Sequence, residues 1–256
     1  MAPYGSVAQR RPSPINVLTK CIAECALYNA LPEFLLPCSR SDPEIDNCIK
    51  RSFNHLRPYL SNGIQELGVP AVEPLLIDRL VMENAAGPVR VTAAFSNITV
   101  VGPSNYTVTK IRSDLKKLRI DMGLVLPRIE VTGQYSVTGQ VLLFPVRSQG
   151  DFWASFTDVV AIVKIFGVEI EKAGVPYMSA ERMQVDFKLK GSRFRVRDTV
   201  NHGSVIGEAM NQFLNNNAPE IIDEMRPAAS AAIAKHFRVF LNSAFENIPI
   251  NEWLTP

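Results

Sequence analysis

The last fifth of the chain carries apolar residues at intervals of three and four positions, which places them on one face of an α-helix. Between Glu220 and Phe245 these positions are Ile221, Ile222, Met225, Ala229, Ala232, Ile233, Phe237, Phe240, Ala244 and Phe245. Pro219 suits the first turn of such a helix, where its missing N–H would have no partner. Pro227 lies inside the pattern and removes one hydrogen bond. The spacing therefore predicts one long helix with a bend near Met225.

Two shorter helical patterns are also present. One ends near Asn215, and Asn216 and Asn217 behind it have side chains that can cap the long helix. The other is an amphipathic helix near the start of the chain that ends at Gly63, with apolar residues at Ile45, Ile49, Phe53, Leu56 and Leu60. The stretch from Leu67 to Leu76 contains Gly68, Pro70 and Pro74 and is predicted to be an extended connector.

Residues 88–197 follow the alternating pattern of β-strands. The clearest run goes from Ile129 to Pro145, with apolar or small residues at odd positions and polar residues at even positions up to residue 140. An earlier run, from Leu118 to Leu126, is apolar at even positions. Gly133 and Gly139 predict a bulge or a sharp coil of the sheet. Such a sheet curls around a core instead of lying flat.

The predicted fold class is α+β: a long C-terminal helix wrapped by a highly curved antiparallel sheet. One helix cannot fill the space inside many strands, so we expect a cavity beside it. The inner face of the sheet and the helix supply the expected ligand-binding lining: Phe95, Tyr135, Val137, Leu143, Phe156, Val160, Phe187, Phe213, Phe237 and Phe240. Tyr135 has a hydroxyl that can orient a ligand.

Composition limits the partners. Charged residues make up 20% of the chain and the net charge is +2, which does not suggest nucleic-acid binding. No apolar run approaches the length of a membrane span, so we expect no stable membrane insertion. We predict a leader, either an atypical signal or a disordered segment, at residues 1–30 and one ligand-binding domain at residues 31–256. We expect a monomer.

The four cysteines all lie early in the chain, at Cys21, Cys25, Cys38 and Cys48. Cys38 and Cys48 enclose a turn containing Ser, Asp and Pro, and they are either a local disulfide or two free thiols. Asn97 and Asn105 begin two N-glycosylation sequons, which matter only in the secretory pathway. The N-terminus lacks the uninterrupted apolar core of a secretory signal.

The sequence gives no support for an enzyme. Its three histidines are His55, His202 and His236, and the glycine-flanked Ser204 does not fit the nucleophile-elbow pattern. His202 beside Ser204 is better explained as a loop pair. Glu169 and Glu171 fit a solvated strand face. We expect no catalytic residues, metal or cofactor.

Several short motifs occur in a specific order over residues 30–255. They are Leu31-Pro32, Cys38 to Pro43 with Cys48-Ile49, Leu56-Arg57-Pro58, Asn62-Gly63-Ile64, Gly68-Val69-Pro70, Gly87-Pro88, Phe95-Ser96-Asn97, Gly133-Gln134-Tyr135, Leu143-Phe144-Pro145, Gly150-Asp151-Phe152, Asn211 to Asn215 and Ile248-Pro249. In these motifs the chain resembles insect takeout proteins and the related haemolymph juvenile hormone binding proteins.

The resemblance implies a helix inside a rolled sheet with an internal apolar tunnel, secretion, and carriage of a fatty-acid-like or juvenile-hormone-like terpenoid ligand. It also implies that Cys38 pairs with Cys48. Juvenile hormone binding proteins proper have a second disulfide, and this chain has no cysteine after Cys48, which favours the takeout-like branch. The alternative function is a signalling or interaction protein of the same fold, acting through surface contacts in behaviour, development or chemosensation.

Overall fold

The computed structural model describes residues 31–85, 87–141, 143–199 and 204–256, and the side chains among them except those of residues 89, 141, 204–207 and 209. The chain divides into two compact units, residues 1–35 and 36–256. In the described part of the first unit, the Leu35 N–H donates to the Pro32 carbonyl at 2.8 Å. The leader predicted at residues 1–30 lies outside the described residues.

The second unit contains nine strands and five α-helices among the residues described. The strands are β1 (Cys38–Ser39), β2 (Leu75–Asn84), β3 (Val89–Val101), β4 (Thr107–Asp114), β5 (Arg119–Val141), β6 (Phe144–Lys172), β7 (Val175–Lys188), β8 (Gly191–Asp198) and β9 (Leu254–Thr255). The helices are α1 (Ile45–His55), α2 (Arg57–Asn62), α3 (Ser204–Asn216), α4 (Ala218–Phe245) and α5 (Ile250–Trp253).

One curled antiparallel sheet forms most of the structure. Its strand order is β2-β3-β5-β6-β7, while β4 pairs with β5 and β8 pairs with β6. The two outer strands of this order, β2 and β7, both contact α4, so the sheet curls toward the helix from both sides. A separate parallel pair joins β1 to β9, with Cys38 opposite Leu254. The predicted α+β fold, a long helix within a curved antiparallel sheet, is confirmed.

Two details of the strand prediction need correction. The two alternating runs on either side of Pro127 form a single strand, β5, of 23 residues. The stretch expected to be a connector up to Leu76 already enters β2 at Leu75. Strand β2 was not predicted, because its polar and apolar residues do not alternate. For example, the three consecutive residues Leu80, Val81 and Met82 are all apolar.

The predicted bulge occurs opposite Gly133. On β3, Ser96 pairs with Gln134 and Thr99 pairs with Thr132, so two residues of β3 stand opposite Gly133 alone. A Cβ atom on Gly133 would lie 2.9 Å from the Ser96 carbonyl oxygen, which explains why a residue without a side chain is needed. At Gly139 the pairing stays in register.

The long helix α4 runs from Ala218 to Phe245, in agreement with the sequence pattern. Pro219 lies in its first turn, and Pro227 lies inside it. The expected capping differs: Asn217 occupies the N-cap position, but its side chain does not cap the helix. The Asn217 amide instead donates to the Phe213 carbonyl of α3 at 2.8 Å. The bend near Met225 stays a prediction.

Helix α3 is attached to the edge of β8 by two asparagine amides. The Val196 N–H donates to Asn211 Oδ1 at 2.7 Å, and Asn211 Nδ2 donates to the Val196 carbonyl at 2.9 Å. Asn215 makes the same pair of hydrogen bonds with Phe194, at 2.9 and 2.8 Å. Four positions separate the two asparagines on the helix, so they meet alternate residues of the strand. The edge of β8 is therefore paired by side chains.

Candidate functional site

The candidate site is the space between α4 and the inner face of the sheet. Seven of the ten residues predicted to line it are half-buried or buried: Phe95, Tyr135, Val137, Phe156, Phe187, Phe237 and Phe240. Phe95 and Phe152 make an edge-to-face contact with ring centroids 5.2 Å apart. Phe237 and Phe240 of α4 pack against the same cluster as Phe95. Their role in contacting a ligand stays a prediction.

The other three predicted lining residues are on the surface, so that prediction is wrong for them. Leu143 is 83% exposed beside the β5–β6 turn, Val160 is 50% exposed and Phe213 is 47% exposed. On this part of β6 the buried positions are odd, Val159 and Ala161, which turns Val160 outward. Helix α3 presents its asparagines to β8 and leaves Phe213 exposed.

The apolar stripe of α4 is only partly covered by the rest of the protein. Three residues of this 28-residue helix are buried: Ala218, Ala234 and Phe245. The stripe between them is half-buried, at Ile222, Met225, Ala229, Ile233, Phe237 and Phe240. In the core cluster that includes Phe245 at the C-terminal end of α4, by contrast, Ile165, Met178 and Ile250 are each 0% exposed. Packing is therefore tight at one end of the helix and incomplete along its middle.

Two clefts open onto the surface of the described residues. One has a volume of about 520 Å³ and lies where α4 meets β6 and β7, lined by Ile162, Lys164, Met183, Gln184, Val185, Asp186, Ser230, Ala231 and Ala234. The other, of about 440 Å³, lies along β8 and is lined by Trp153, Ser192, Arg193, Phe194, Arg195 and Asn215. None of the ten predicted lining residues belongs to either cleft.

Two hydrogen-bond donors on α4 are buried without a partner. They are Arg226 Nε and Ser230 Oγ, one helical turn apart, and neither has a hydrogen-bond partner in the structure. Ser230 lines the cleft between α4 and β6–β7. The sequence prediction missed both residues, although a polar pair four positions apart on a largely apolar helix face was a readable signal.

The hydroxyl of Tyr135 is engaged within the protein. Tyr135 Oη lies 2.8 Å from Ser148 Oγ, and Ser148 donates to Asp198 Oδ2 at 2.7 Å. Because the single hydroxyl proton of Ser148 goes to the carboxylate, Tyr135 donates to Ser148. Burial raises the pKa of the Tyr135 phenol, because the ionised form would lose its solvation there. Met210 of α3 covers this cluster, with its sulfur 3.8 Å from Ser148 Oγ.

The remaining sequence predictions divide into tested and untested ones. The Cys38–Cys48 disulfide is confirmed. Asn97 and Asn105 are both exposed, and their glycosylation stays a prediction. Glu169 and Glu171 are exposed, as expected of a solvated strand face. His202 lies outside the described residues.

The described part of the chain offers little for metal binding or membrane spanning. It contains no group of three or more His, Cys, Asp or Glu side chains placed to hold a metal ion. None of its helices combines the length and the apolar character needed to span a bilayer.

Burial lowers the pKa of His236 on α4.

The chain is similar to known proteins in both sequence and fold. The model of the family described as haemolymph juvenile hormone binding protein (JHBP) matches residues 17–255. The circadian clock-controlled protein daywake of Drosophila melanogaster is 24% identical over 228 residues, covering 86% of this chain and 88% of that protein. The Drosophila yakuba protein of the same name is 23% identical over 228 residues, with 86% and 88% covered.

A solved structure has the same architecture. The crystal structure of Epiphyas postvittana Takeout 1 matches with a TM-score of 0.72 at 20% identity, covering 86% of this chain and 100% of that one. At this identity, the likeness is evidence for the fold alone.

Proposed function

The chain belongs to the takeout and haemolymph juvenile hormone binding protein family, and from this membership we propose that it is an extracellular carrier of a small hydrophobic ligand. The family consists of binding and carrier proteins with a fold that binds hydrophobic ligands. The ligand would lie between α4 and the curled sheet, as a fatty-acid-like molecule or a juvenile-hormone-like terpenoid.

The half-buried apolar stripe of α4 is the observation that carries this proposal. A helix that served only as the core of the fold would have its stripe fully covered, as the core residues packed with Phe245 at its C-terminal end are. Covering roughly 100 Å² of apolar surface contributes about 2.5 kcal/mol, so a ligand that completes the coverage gains substantial binding energy.

The cleft between α4 and β6–β7 gives the ligand a route toward this stripe. Its volume of about 520 Å³ lies within the range of about 300–1,000 Å³ typical of small-molecule sites. Five of its nine lining residues are apolar, and the polar ones are Lys164, Gln184, Asp186 and Ser230, so it combines apolar walls with groups that can orient a ligand. In the proposed carrier this cleft continues into an internal tunnel.

The experiment is native mass spectrometry of the protein secreted from insect cells, followed by organic extraction of what accompanies it. We expect a small lipophile in stoichiometric amount. A bare mass, together with failure to take up added fatty acids and terpenoids, would rule out the carrier function.

A pair of variants on α4 tests where the ligand lies. Ile233 is half-buried one turn before Phe237, so Ile233→Trp should fill the space and reduce the bound fraction. Val239 is 64% exposed on the same helix, and Val239→Trp is the matched control that should leave the bound fraction unchanged. Equal occupancy in the two variants would place the ligand elsewhere.

A second candidate function is supported by a different observation. Leu143 and Phe144, beside the β5–β6 turn, are 83% and 71% exposed, and adjacent exposed apolar residues favour a protein contact. In this alternative the protein acts through its surface in behaviour, development or chemosensation, without a ligand. A ligand-free protein in the experiment above would favour it.

A further inference from the structure

We propose that the outer face of β8 binds a linear sulfated polysaccharide through three arginines, Arg193, Arg195 and Arg197, which we call the arginine row. The proposal goes beyond the carriage of a ligand, because it concerns the outside of the curled sheet. It holds whether or not a lipophile lies inside the sheet.

The arginine row follows from the alternation of residues along β8. The even-numbered residues share the inner face with Phe156 of β6, against which Phe194 makes an edge-to-face contact with ring centroids 5.8 Å apart. The three arginines therefore point outward, and all three are exposed. At about 3.3 Å per residue, adjacent arginines of the row are about 6.6 Å apart along the strand. The outer face of β8 thus carries a straight line of three positive charges.

The charges of the arginine row are not neutralised within the described ranges of the chain. None of its three members forms an ion pair there. By contrast, Arg128 on β5 pairs with Glu130 at 2.6 Å. The residues opposite the row on β6 are Asp151, Trp153 and Ser155, and only the first of them is charged. Because like charges this close repel one another, an anion lying along the row would relieve that repulsion.

A cleft beside the arginine row supplies space and an aromatic surface. It has a volume of about 440 Å³, and its lining includes Trp153, Arg193 and Arg195. Trp153 is half-buried and stands opposite Arg195 on the neighbouring strand. The flat indole offers an apolar face against which a sugar ring can pack, and guanidinium groups bind the oxygens of anionic groups through paired hydrogen bonds. An anionic sugar uses both features, whereas a small inorganic anion would use only the arginines.

The linear shape of the arginine row favours a chain-like partner over a lipid surface. Closely spaced basic residues are typical of heparin-binding surfaces. A flat anionic membrane lying on this face of the sheet would also meet Asp151 and Glu130, whose negative charges oppose its binding. A polysaccharide that lies along β8 contacts the row without covering Glu130, which is on β5. A linear sulfated polysaccharide is therefore the partner that the surface fits.

The test is chromatography of the intact protein on immobilised heparin, a linear sulfated polysaccharide, with a gradient of NaCl. We expect the protein to be retained at about 0.15 M NaCl. Arg193→Gln/Arg195→Gln should elute at a lower salt concentration, and its Kd for a heparin hexasaccharide should rise about tenfold. The matched control is Lys110→Gln/Arg112→Gln, which removes two exposed cations at alternate positions of β4. The control should elute with the wild type.

Tryptophan fluorescence locates the bound polysaccharide. The chain has two tryptophans: Trp153 lines the cleft, and Trp253 is stacked on Phe245 with ring centroids 5.6 Å apart. The heparin hexasaccharide should change the emission of the wild-type protein. This change should be kept in Trp253→Phe and lost in Trp153→Phe. A change that persists in Trp153→Phe would place the polysaccharide elsewhere and overturn the proposal.

Two further probes identify the chemistry that is recognised. Dextran, which carries no sulfate, should not bind, and equal binding of dextran and heparin would contradict a role for the arginines. Vesicles of phosphatidylserine and phosphatidylcholine present anionic groups on a membrane. Binding to these vesicles without binding to heparin would overturn the proposal in favour of a lipid surface.

The remaining outcomes separate this proposal from a structural role and from the carrier function. Lack of retention on heparin at about 0.15 M NaCl, or equal elution of the two double variants, would overturn it. Arg193→Gln/Arg195→Gln should keep the wild-type urea midpoint, because exposed substitutions change stability little, and a clear loss would show that the row serves the fold. Extraction of a lipophile tests the carrier function independently, so either conclusion can fail while the other stands.

Discussion

Pro127 on β5 stands opposite Asp158 on β6, and the inward-facing positions of both strands change phase at this point. Before it, even-numbered residues of β5 such as Ile120 pack in the core; after it, odd-numbered residues such as Ile129 do. Asp158 has a φ of 50°, in the left-handed region, and proline has no N–H to donate. Both halves of the hairpin can therefore turn their apolar residues toward the same helix.

The backbone of Asp158 gives a first prediction. In the left-handed region glycine is unstrained, whereas a β-branched residue is not. Asp158→Gly should leave the free energy of unfolding unchanged or raise it by up to about 1 kcal/mol, and Asp158→Val should lower it by about 2 kcal/mol. Urea denaturation measures both. Asp151→Val, at an exposed position earlier on the same strand, is the control and should cost less than 1 kcal/mol.

The asparagines of α3 give a second prediction. Removing either amide leaves a backbone N–H and carbonyl of β8 without partners. The bonds to Val196 are partly buried and those to Phe194 are exposed to water, which can replace them. Asn211→Ala should therefore cost about 2 kcal/mol of unfolding free energy, and Asn215→Ala about 0.5 kcal/mol.

The control for this pair is Asn216→Ala, at an exposed position at the end of α3. It should leave the urea midpoint unchanged. Equal losses for Asn211→Ala and Asn215→Ala would contradict the difference in burial on which the prediction depends.

A third prediction concerns pH. Burial raises the pKa of Tyr106 to about 12, and its hydroxyl donates to the Phe53 carbonyl at 2.5 Å. In the unfolded chain the phenol ionises near its ordinary pKa of about 10, so ionisation favours the unfolded state first. The stabilisation is complete below pH 10 and is lost as the pH rises toward 12, by about 3 kcal/mol in total.

Tyr106→Phe tests this pH dependence. The variant should lose about 1 kcal/mol at neutral pH, because the Phe53 carbonyl loses its donor. Its unfolding free energy should then fall less steeply than that of the wild type between pH 10 and 12. Parallel curves for the two proteins in urea denaturation would show that Tyr106 is not the group responsible.

The disulfide gives a fourth prediction. Cys38 and Cys48 are separated by 10 positions, and closing so short a loop stabilises the fold by about 3 kcal/mol. Cys38→Ala/Cys48→Ala should lose this amount in urea denaturation. Reduction of the wild-type protein should bring its unfolding curve onto that of the double variant. An unchanged wild-type curve after reduction would contradict the prediction.

The sequence predicted the elements whose apolar residues recur at a regular spacing. It did not predict the features that depend on tertiary contacts. Helix α4 has one regular pattern over more than twenty residues, so its existence was predictable. Each half of strand β5 has a regular pattern of its own, so both runs were predictable but their union in one strand was not. Strand β2 has no alternation and was missed. The sequence wrongly predicted an inward-facing Val160. The change in which positions of β6 face inward occurs at Asp158, and it depends on a backbone angle that the spacing of apolar residues does not reveal.

The candidate site could be predicted only in part from the sequence, because it too depends on tertiary contacts. Aromatic residues on an apolar face predict an interior position, and this holds for Phe95 and Phe237. Whether a polar residue on that face finds a partner depends on the packing of neighbouring strands, so the unsatisfied donors of Arg226 and Ser230 needed the structure.

The order of the elements along the chain is also the order in which they are synthesised. The curled sheet is complete at Asp198, whereas α4, which covers its inner face, ends at Phe245 and β9 follows at Leu254. At about 5–20 residues per second, synthesis leaves the apolar face of the sheet without its helix for several seconds. During this interval the face has no cover from its own chain, so we expect the nascent protein to be prone to aggregation.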